Sequence, residues 1–113
     1  MEKLFSYGTL QYPQVQKETF GRILEGKHDM LPGYVESTVE ITDPIVLERS
    51  GQRIHPILHF TGNRSDMVSG MIFEISYDEL MQSDLYEADD YQRIEAEFHS
   101  GTMAWVYVSA ERP

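Results

Sequence analysis

Two short segments far apart in this chain hold the residues best suited to moving protons. Tyr7-Gly8-Thr9-Leu10 follows the first apolar run, and Asp84-Leu85-Tyr86-Glu87 closes the clearest amphipathic helix, with Tyr91 and Arg93 just beyond. Gly8 suits a tight turn, and successive N–H groups in such a turn make a concavity for a carboxylate or an oxyanion. The same four residues serve equally as a plain exit from a strand. Asp84, Glu87, Asp89 and Asp90 gather carboxylates at a helix C-terminus, where the helix dipole disfavours negative charge. Read structurally, that is a solvated helix end. Read chemically, neighbouring like charges and burial beside Tyr86 and Tyr91 raise a carboxyl pKa towards neutrality. Glu87 or Asp84 then becomes a competent general base, and a general acid on the return step.

Other chemistries find less support. The chain has no cysteine, which removes both a disulfide framework and thiol catalysis. His55 and His59 have the i, i+4 spacing of helical zinc ligands,. Pro56 and the surrounding apolar alternation place them on a strand instead, where four residues span about 13 Å, too far for one metal. His28 and His99 stand alone as surface or satisfied core residues, so no metal site is expected. The acidic cluster lacks the glycine and terminal glutamate of a calcium loop.

The elements that must position these residues are legible in part. Residues 3–7 read as a strand ended by Gly8. Pro13 suits a first helical position, and residues 14–24 read as a helix with Val15, Phe20, Ile23 and Leu24 at loosely helical spacing. Pro32-Gly33 and Asp43-Pro44 mark turns, and residues 34–41 read as a strand. Residues 45–47 and 54–60 read as a hairpin around Ser50-Gly51. Residues 68–75 form a strand interrupted by Gly70. Ser76-Tyr77-Asp78-Glu79 is a capping box, opening a helix with Tyr77, Leu80, Met81 and Leu85 on one face and an end near Glu87 or Ala88. Residues 93–98 and 104–109 form a last hairpin around Ser100-Gly101. Six or seven strands and two helices imply an α+β fold, a small mixed or antiparallel β-barrel with flanking helices.

At 113 residues the chain suits one domain, residues 1–113, able to bury a core without metal or disulfide staples. No basic-then-apolar leader and no apolar run near the ~20 residues of a membrane span is present, so a cytoplasmic protein is expected, a monomer or weak dimer. The formal net charge is −10 with nine scattered basic residues. Phosphate backbones and anionic membranes are poor partners for such a surface.

Taken in order, these segments resemble the gamma-glutamylcyclotransferase-like family of small cytosolic proteins. The resemblance runs through Tyr7-Gly8-Thr9-Leu10, Phe20-Gly21-Arg22, Leu31-Pro32-Gly33-Tyr34, His55-Pro56-Ile57-Leu58 and residues 70–75, then Asp84, Tyr86, Glu87, Tyr91 and Arg93. It implies a small β-barrel with a cavity at one end. It further implies that Tyr7, Gly8, Thr9, Leu10 and Tyr91 bind substrate, that Glu87 accepts and returns a proton, and that Asp84 and Arg93 support it. The His55-Pro56 segment is one where relatives often carry an aromatic before the proline. Two departures stand out: Gln11-Tyr12-Pro13 replaces the basic and glycine residues of many relatives, and Ala88 follows Glu87 where glycine is common.

The implied reaction acts on a γ-glutamyl amide or peptide as small-molecule substrate. The substrate's α-amine attacks its own γ-carbonyl and releases 5-oxoproline and a free amine. That is acyl transfer without a protein nucleophile and without a cofactor. The alternatives are a binding module, holding an amine or amino-acid-like ligand in the same cavity without turnover, and an interaction protein that keeps only the fold.

Overall fold

The computed structural model describes residues 1–40, 44–50, 54–87 and 90–110, with the backbone alone at residues 46, 49, 50 and 86. Its central element is the first strand, β1 (Glu2–Ser6), where Leu4 and Phe5 point to opposite faces and both are 1% exposed. A strand buried on both faces must lie inside the sheet with a layer above and a layer below. The chain supplies both layers. After a 3-10 turn at Thr9–Gln11 come α1 (Pro13–Phe20), β2 (Gly26–Pro32), β3 (Tyr34–Glu40), α2 (Pro44–Ser50), β4 (Ile54–Phe60), β5 (Met67–Ile75), α3 (Tyr77–Tyr86), β6 (Tyr91–Glu97) and β7 (Met103–Ser109).

Five strands form one sheet in the order β2-β5-β1-β7-β6, while β3 and β4 pair as a separate antiparallel ribbon. All pairings in the large sheet are antiparallel except β1 with β7, where Leu4 faces Trp105 and Phe5 faces Val106. On one face Leu4, Phe73, Ile75 and Tyr107 meet Leu24 and Leu80 from the helical layer. On the other, Phe5, Ile72, Val106 and Val108 meet Leu58 of the ribbon. The α+β class expected from the sequence is observed. The barrel is not closed: the strands divide between a five-stranded sheet and a ribbon packed across it.

Several local expectations change. Residues 45–47 lie in α2 rather than in a strand, because Pro44 takes the first helical position,, and the partner of β4 is β3. Short apolar runs do not distinguish helix from strand by periodicity. Strand β2 was not expected, since Gly26, Lys27 and Asp29 are poor strand formers. Its burial is tertiary in origin: Gly26 lies against the Phe73 ring, where a Cβ would stand 2.5 Å from Cδ1. Gly70 does not interrupt β5; the strand runs through it because only a glycine fits under the Phe5 ring. Helix α1 stops at Phe20, four residues early, where Gly21 takes φ 75° and returns its N–H to the Lys17 carbonyl,. The Ser76 capping box forms as read, with Glu79 N–H on Ser76 Oγ at 3.1 Å and Ser76 N–H on Glu79 Oε1 at 2.8 Å. The expected apolar face of α3 is buried only at its middle: Leu80 is 2% exposed, whereas Tyr77 is 62% and Leu85 81% exposed. Ile41, Asp43, Gly51, Ala88 and Asp89 lie outside the described residues. Among the described residues no helix is long and apolar enough to cross a membrane.

Candidate active site

The loop after β1 is held from below by a residue that periodicity would not single out. Gln16 is buried in α1; its amide donates to the Leu10 carbonyl at 2.9 Å, and its Oε1 accepts the Leu24 N–H at 2.8 Å. One side chain thus ties the loop to the chain beyond the helix, and a buried amide satisfied at both ends is a strong positional constraint. Within the loop, Gln11 N–H returns to Gly8 O at 3.2 Å and Tyr12 N–H to Thr9 O at 2.9 Å. Gly8 N–H turns to Ser6 Oγ at 3.4 Å. The N–H groups of Thr9 and Leu10 have no acceptor among the described residues.

Glu87 arrives from the other side. It is the C-cap of α3, with φ −79° and ψ 139°, so the extended backbone there, and not helical spacing, aims its side chain. Glu87 and the whole Tyr7–Leu10 loop line one cleft, with Tyr91 of β6, His55 and Pro56 of β4, and Tyr107 of β7. The cleft is narrow, a cavity of about 70 Å³ that opens to solvent at its mouth. Its walls are joined by short bonds. Tyr7 donates to the Tyr107 carbonyl at 2.6 Å, and Tyr91 donates to the Pro56 carbonyl at 2.6 Å.

Glu87 is exposed by area, yet it is deeply surrounded by protein, with the phenols of Tyr7, Tyr91 and Tyr107 close enough to feel its charge. The two facts fit an acid at a cleft mouth, wetted from one side and enclosed on the others. Burial, and then the negative charge of Asp84, push its pKa up from 4.5 to about 7,. Water at the mouth moderates the Asp84 contribution. The three phenols move up as well, each chiefly through burial, and stay protonated donors.

Asp84 and Arg93 do not line the cleft. They pair behind Tyr107, with Arg93 Nε on Asp84 Oδ1 at 2.8 Å and Nη2 on Oδ2 at 2.9 Å. Burial alone would raise the Asp84 pKa, but the hydrogen bonds from Arg93 and Tyr107 and the Arg93 charge together hold it below the usual carboxylate range,. The guanidinium also stacks over Trp105 at 4.4 Å,.

A sequence profile of the family described as gamma-glutamyl cyclotransferase, AIG2-like, matches residues 4–113. The chain belongs to that family. The family supports an activity of the gamma-glutamyl cyclotransferase type. No curated protein matches the chain in sequence. Solved structures of the same fold include At5g39720.1 from Arabidopsis thaliana, with a TM-score of 0.72 and 19% identity over 99% of this chain and 70% of that one. At3g28950.1 from the same plant gives 0.69 and 20% identity over 96% and 61%. The uncharacterized protein PH0828 from Pyrococcus horikoshii gives 0.60 and 14% over 100% and 81%. At such identities the likeness concerns the fold.

The sequence reading therefore names six of the cleft residues, Tyr7, Gly8, Thr9, Leu10, Glu87 and Tyr91, and the structure brings them together. Three more residues line the cleft without having been assigned to it: Tyr107, and His55 and Pro56 from a segment that resembles the family; His55 lies on β4, as expected, and is buried at the cleft. The signal for Tyr107 was its place on the same strand face as Trp105, a polar tip set among apolar alternates.

Proposed function

We propose that this protein closes γ-glutamyl amides to 5-oxoproline, with Glu87 carrying the proton. One observation carries the reading: the loop after β1 and Glu87, seventy-nine positions beyond Gly8 in sequence, line the same cleft. The substrate's α-ammonium must lose a proton before its nitrogen can attack. Such a group has a pKa of ~8 or above, far from an ordinary glutamate. A Glu87 pushed up to about 7 narrows that gap and still holds the proton weakly enough to give it back.

Glu87 takes one proton from the α-ammonium. The freed amine adds to the γ-carbonyl carbon, forming the ring C–N bond and a tetrahedral oxyanion. The oxyanion collapses, the bond to the leaving nitrogen breaks, and Glu87 returns its proton to that nitrogen. The ring nitrogen, left with one proton more than a lactam carries, then passes it through Glu87 to the released amine, so the products are 5-oxoproline and an ammonium ion. The Thr9 and Leu10 N–H groups suit the glutamyl carboxylate or the oxyanion, and each oxyanion donor is worth ~3–4 kcal/mol. Tyr7 and Tyr91, with their protons committed to backbone carbonyls, shape the walls that fold the glutamyl chain, and such preorganisation supplies large effective molarities.

Glu87→Gln, assayed for 5-oxoproline release over γ-glutamyl dipeptides, γ-glutamyl-lysine amides and glutathione, should lose ~10²–10⁴-fold in kcat. A variant with full activity removes Glu87 from the mechanism. Ligand-dependent thermal stabilisation of the wild type with no ring-closed product by mass spectrometry assigns the cleft to binding instead.

A further inference from the structure

Behind the cleft lies a polar chain that the proposed reaction does not itself use. Tyr107 donates to Asp84 Oδ1 at 2.6 Å, and Ser83 Oγ lies 2.7 Å from the Tyr107 hydroxyl. Each hydroxyl has a single proton. Ser83 Oγ also reaches the Leu80 carbonyl at 2.8 Å, so its one proton is shared between that carbonyl and the Tyr107 oxygen. The firm directions are those that end on Asp84: Tyr107 donates to it from one side and Arg93 from the other. Tyr107 has a second duty, since its own carbonyl accepts the Tyr7 hydroxyl. One residue of β7 thus grips the end of α3 with its side chain and the substrate-side loop with its backbone.

We propose that Asp84, Arg93 and Tyr107 act as positioning residues for Glu87, a clamp that fixes the C-terminus of α3 against the cleft loop and sets a carboxylate of regulated charge beside the proton carrier. This rests on the reading of Glu87 as that carrier. Asp84 lies three positions before Glu87, one helical turn away, and its charge acts on Glu87. Arg93 balances most of that charge through two parallel bonds, a geometry a lysine does not reproduce. Removing either partner therefore changes the field at Glu87, and in opposite directions. Asp84→Asn leaves Arg93 unbalanced and favours ionised Glu87. Arg93→Gln leaves Asp84 unbalanced and favours protonated Glu87. A scaffold role alone has no reason to produce opposite signs. Among the described residues, the other titratable groups that share the cleft with Glu87 are Tyr7, His55, Tyr91 and Tyr107, with Glu36 beside Tyr7 and Asp90 beside Tyr91. Of these only Tyr107 belongs to the clamp.

The test reads Glu87 directly. Protein labelled with ¹³C at glutamate carboxyls is titrated by NMR, with the Glu87 signal assigned by its absence in Glu87→Gln. Against wild type, Asp84→Asn should lower the Glu87 midpoint by roughly 0.5–1 pH unit, and Arg93→Gln should raise it by a similar amount, as expected for a partly solvated charge a few ångströms away. Tyr107→Phe should also raise it, and Arg93→Lys should fall between wild type and Arg93→Gln. In wild type and variants alike, the acid limb of kcat/KM for 5-oxoproline release should follow the NMR midpoint. Midpoints that stay put, or that move in the same direction for Asp84→Asn and Arg93→Gln, overturn the clamp even if the enzyme is active. Opposite shifts in a protein that turns over no γ-glutamyl compound sustain the electrostatic clamp and overturn the proposed reaction. Should Asp84→Asn fail to fold, the ordering of wild type, Arg93→Lys and Arg93→Gln decides.

Discussion

Adding one methyl group at Gly8 should separate the cleft's geometry from its stability. Gly8 has φ −128° and ψ −144°, so the position does not call for a positive φ. The obstacle is Pro56: a Cβ at position 8 would stand 3.2 Å from its Cγ and 3.8 Å from its Cδ. Carbon atoms rest at about 3.5–4.0 Å, so the loop or the proline must retreat by roughly 0.3–0.5 Å. Small-to-large changes in a packed site cost about 1–3 kcal/mol. A single methyl at this half-buried position belongs at the lower end, about 1 kcal/mol, or about 4 °C in Tm for a domain of this size. The functional cost should be larger than that suggests. Pro56 carries the carbonyl that receives the Tyr91 hydroxyl, so a displaced Pro56 moves the Tyr91 wall, while a displaced loop moves the Thr9 and Leu10 amides. Misplacement by about 1 Å costs ~10²-fold in rate, and a third to a half of that, taken logarithmically, is about 5–10-fold. Thermal unfolding and 5-oxoproline release on one preparation measure both. The contact itself is checked in a Pro56→Ala background, where Gly8→Ala should cost less than in wild type. Wild-type Tm and wild-type kcat/KM in Gly8→Ala, or an undiminished cost in the double variant, would refute the reasoning.

Two further substitutions probe the frame around the site. Gly70→Ala should destabilise by about 3 kcal/mol or more, because its Cβ would collide with the Ser6 carbonyl and stand 2.6 Å from Phe5 Cζ, and Phe5 is only 1% exposed; a urea midpoint close to wild type would contradict this packing. Glu87→Gln should change the pH dependence of stability. The Glu87 pKa is raised on folding, so its contribution is complete below about 4.5 and is lost as pH rises through about 7,. The Tm of the variant minus that of wild type should therefore grow between pH 5 and pH 8, and a constant difference would show that Glu87 titrates as an ordinary glutamate.

The features legible in the sequence share a short-range cause. The Ser76 cap, the Gly33 and Gly101 turns and the last hairpin depend on neighbours a few residues away, and each is found where expected, whereas Gly8 keeps a negative φ of −128°. The failures share the opposite cause. β2 exists because β5 presents an open edge and because Gly26 fits against Phe73, and nothing within residues 26–32 announces either. The apolar run at residues 45–47 was compatible with two periods, and tertiary pairing of β4 with β3 settled the choice. The site divides in the same way. Tyr7 to Leu10, Glu87 and Tyr91 lie in segments whose order resembles a family, whereas Tyr107 reaches the cleft through contacts spanning dozens of residues.

The topology explains why a loop near the start and an acid near the end meet at all. β1 and β7 are the only parallel neighbours among the described strands, so their carboxyl ends emerge on the same side of the sheet. The Tyr7–Leu10 loop leaves from one of those ends, and Tyr107 sits at the other. Helix α3 packs Leu80 onto the same sheet face as Tyr107, which carries its C-terminus, nearly two turns later,, towards that edge. With both partners central and buried, neither end can drift without breaking the sheet. The residue in contact with all three parts is Tyr107, which binds Tyr7 through its carbonyl, Asp84 through its hydroxyl and the cleft through its ring. A parallel pair at the centre of the described sheet sets the Tyr7–Leu10 turn and Glu87 on one rigid frame, and a preformed cleft of that kind is what the proposed ring closure requires.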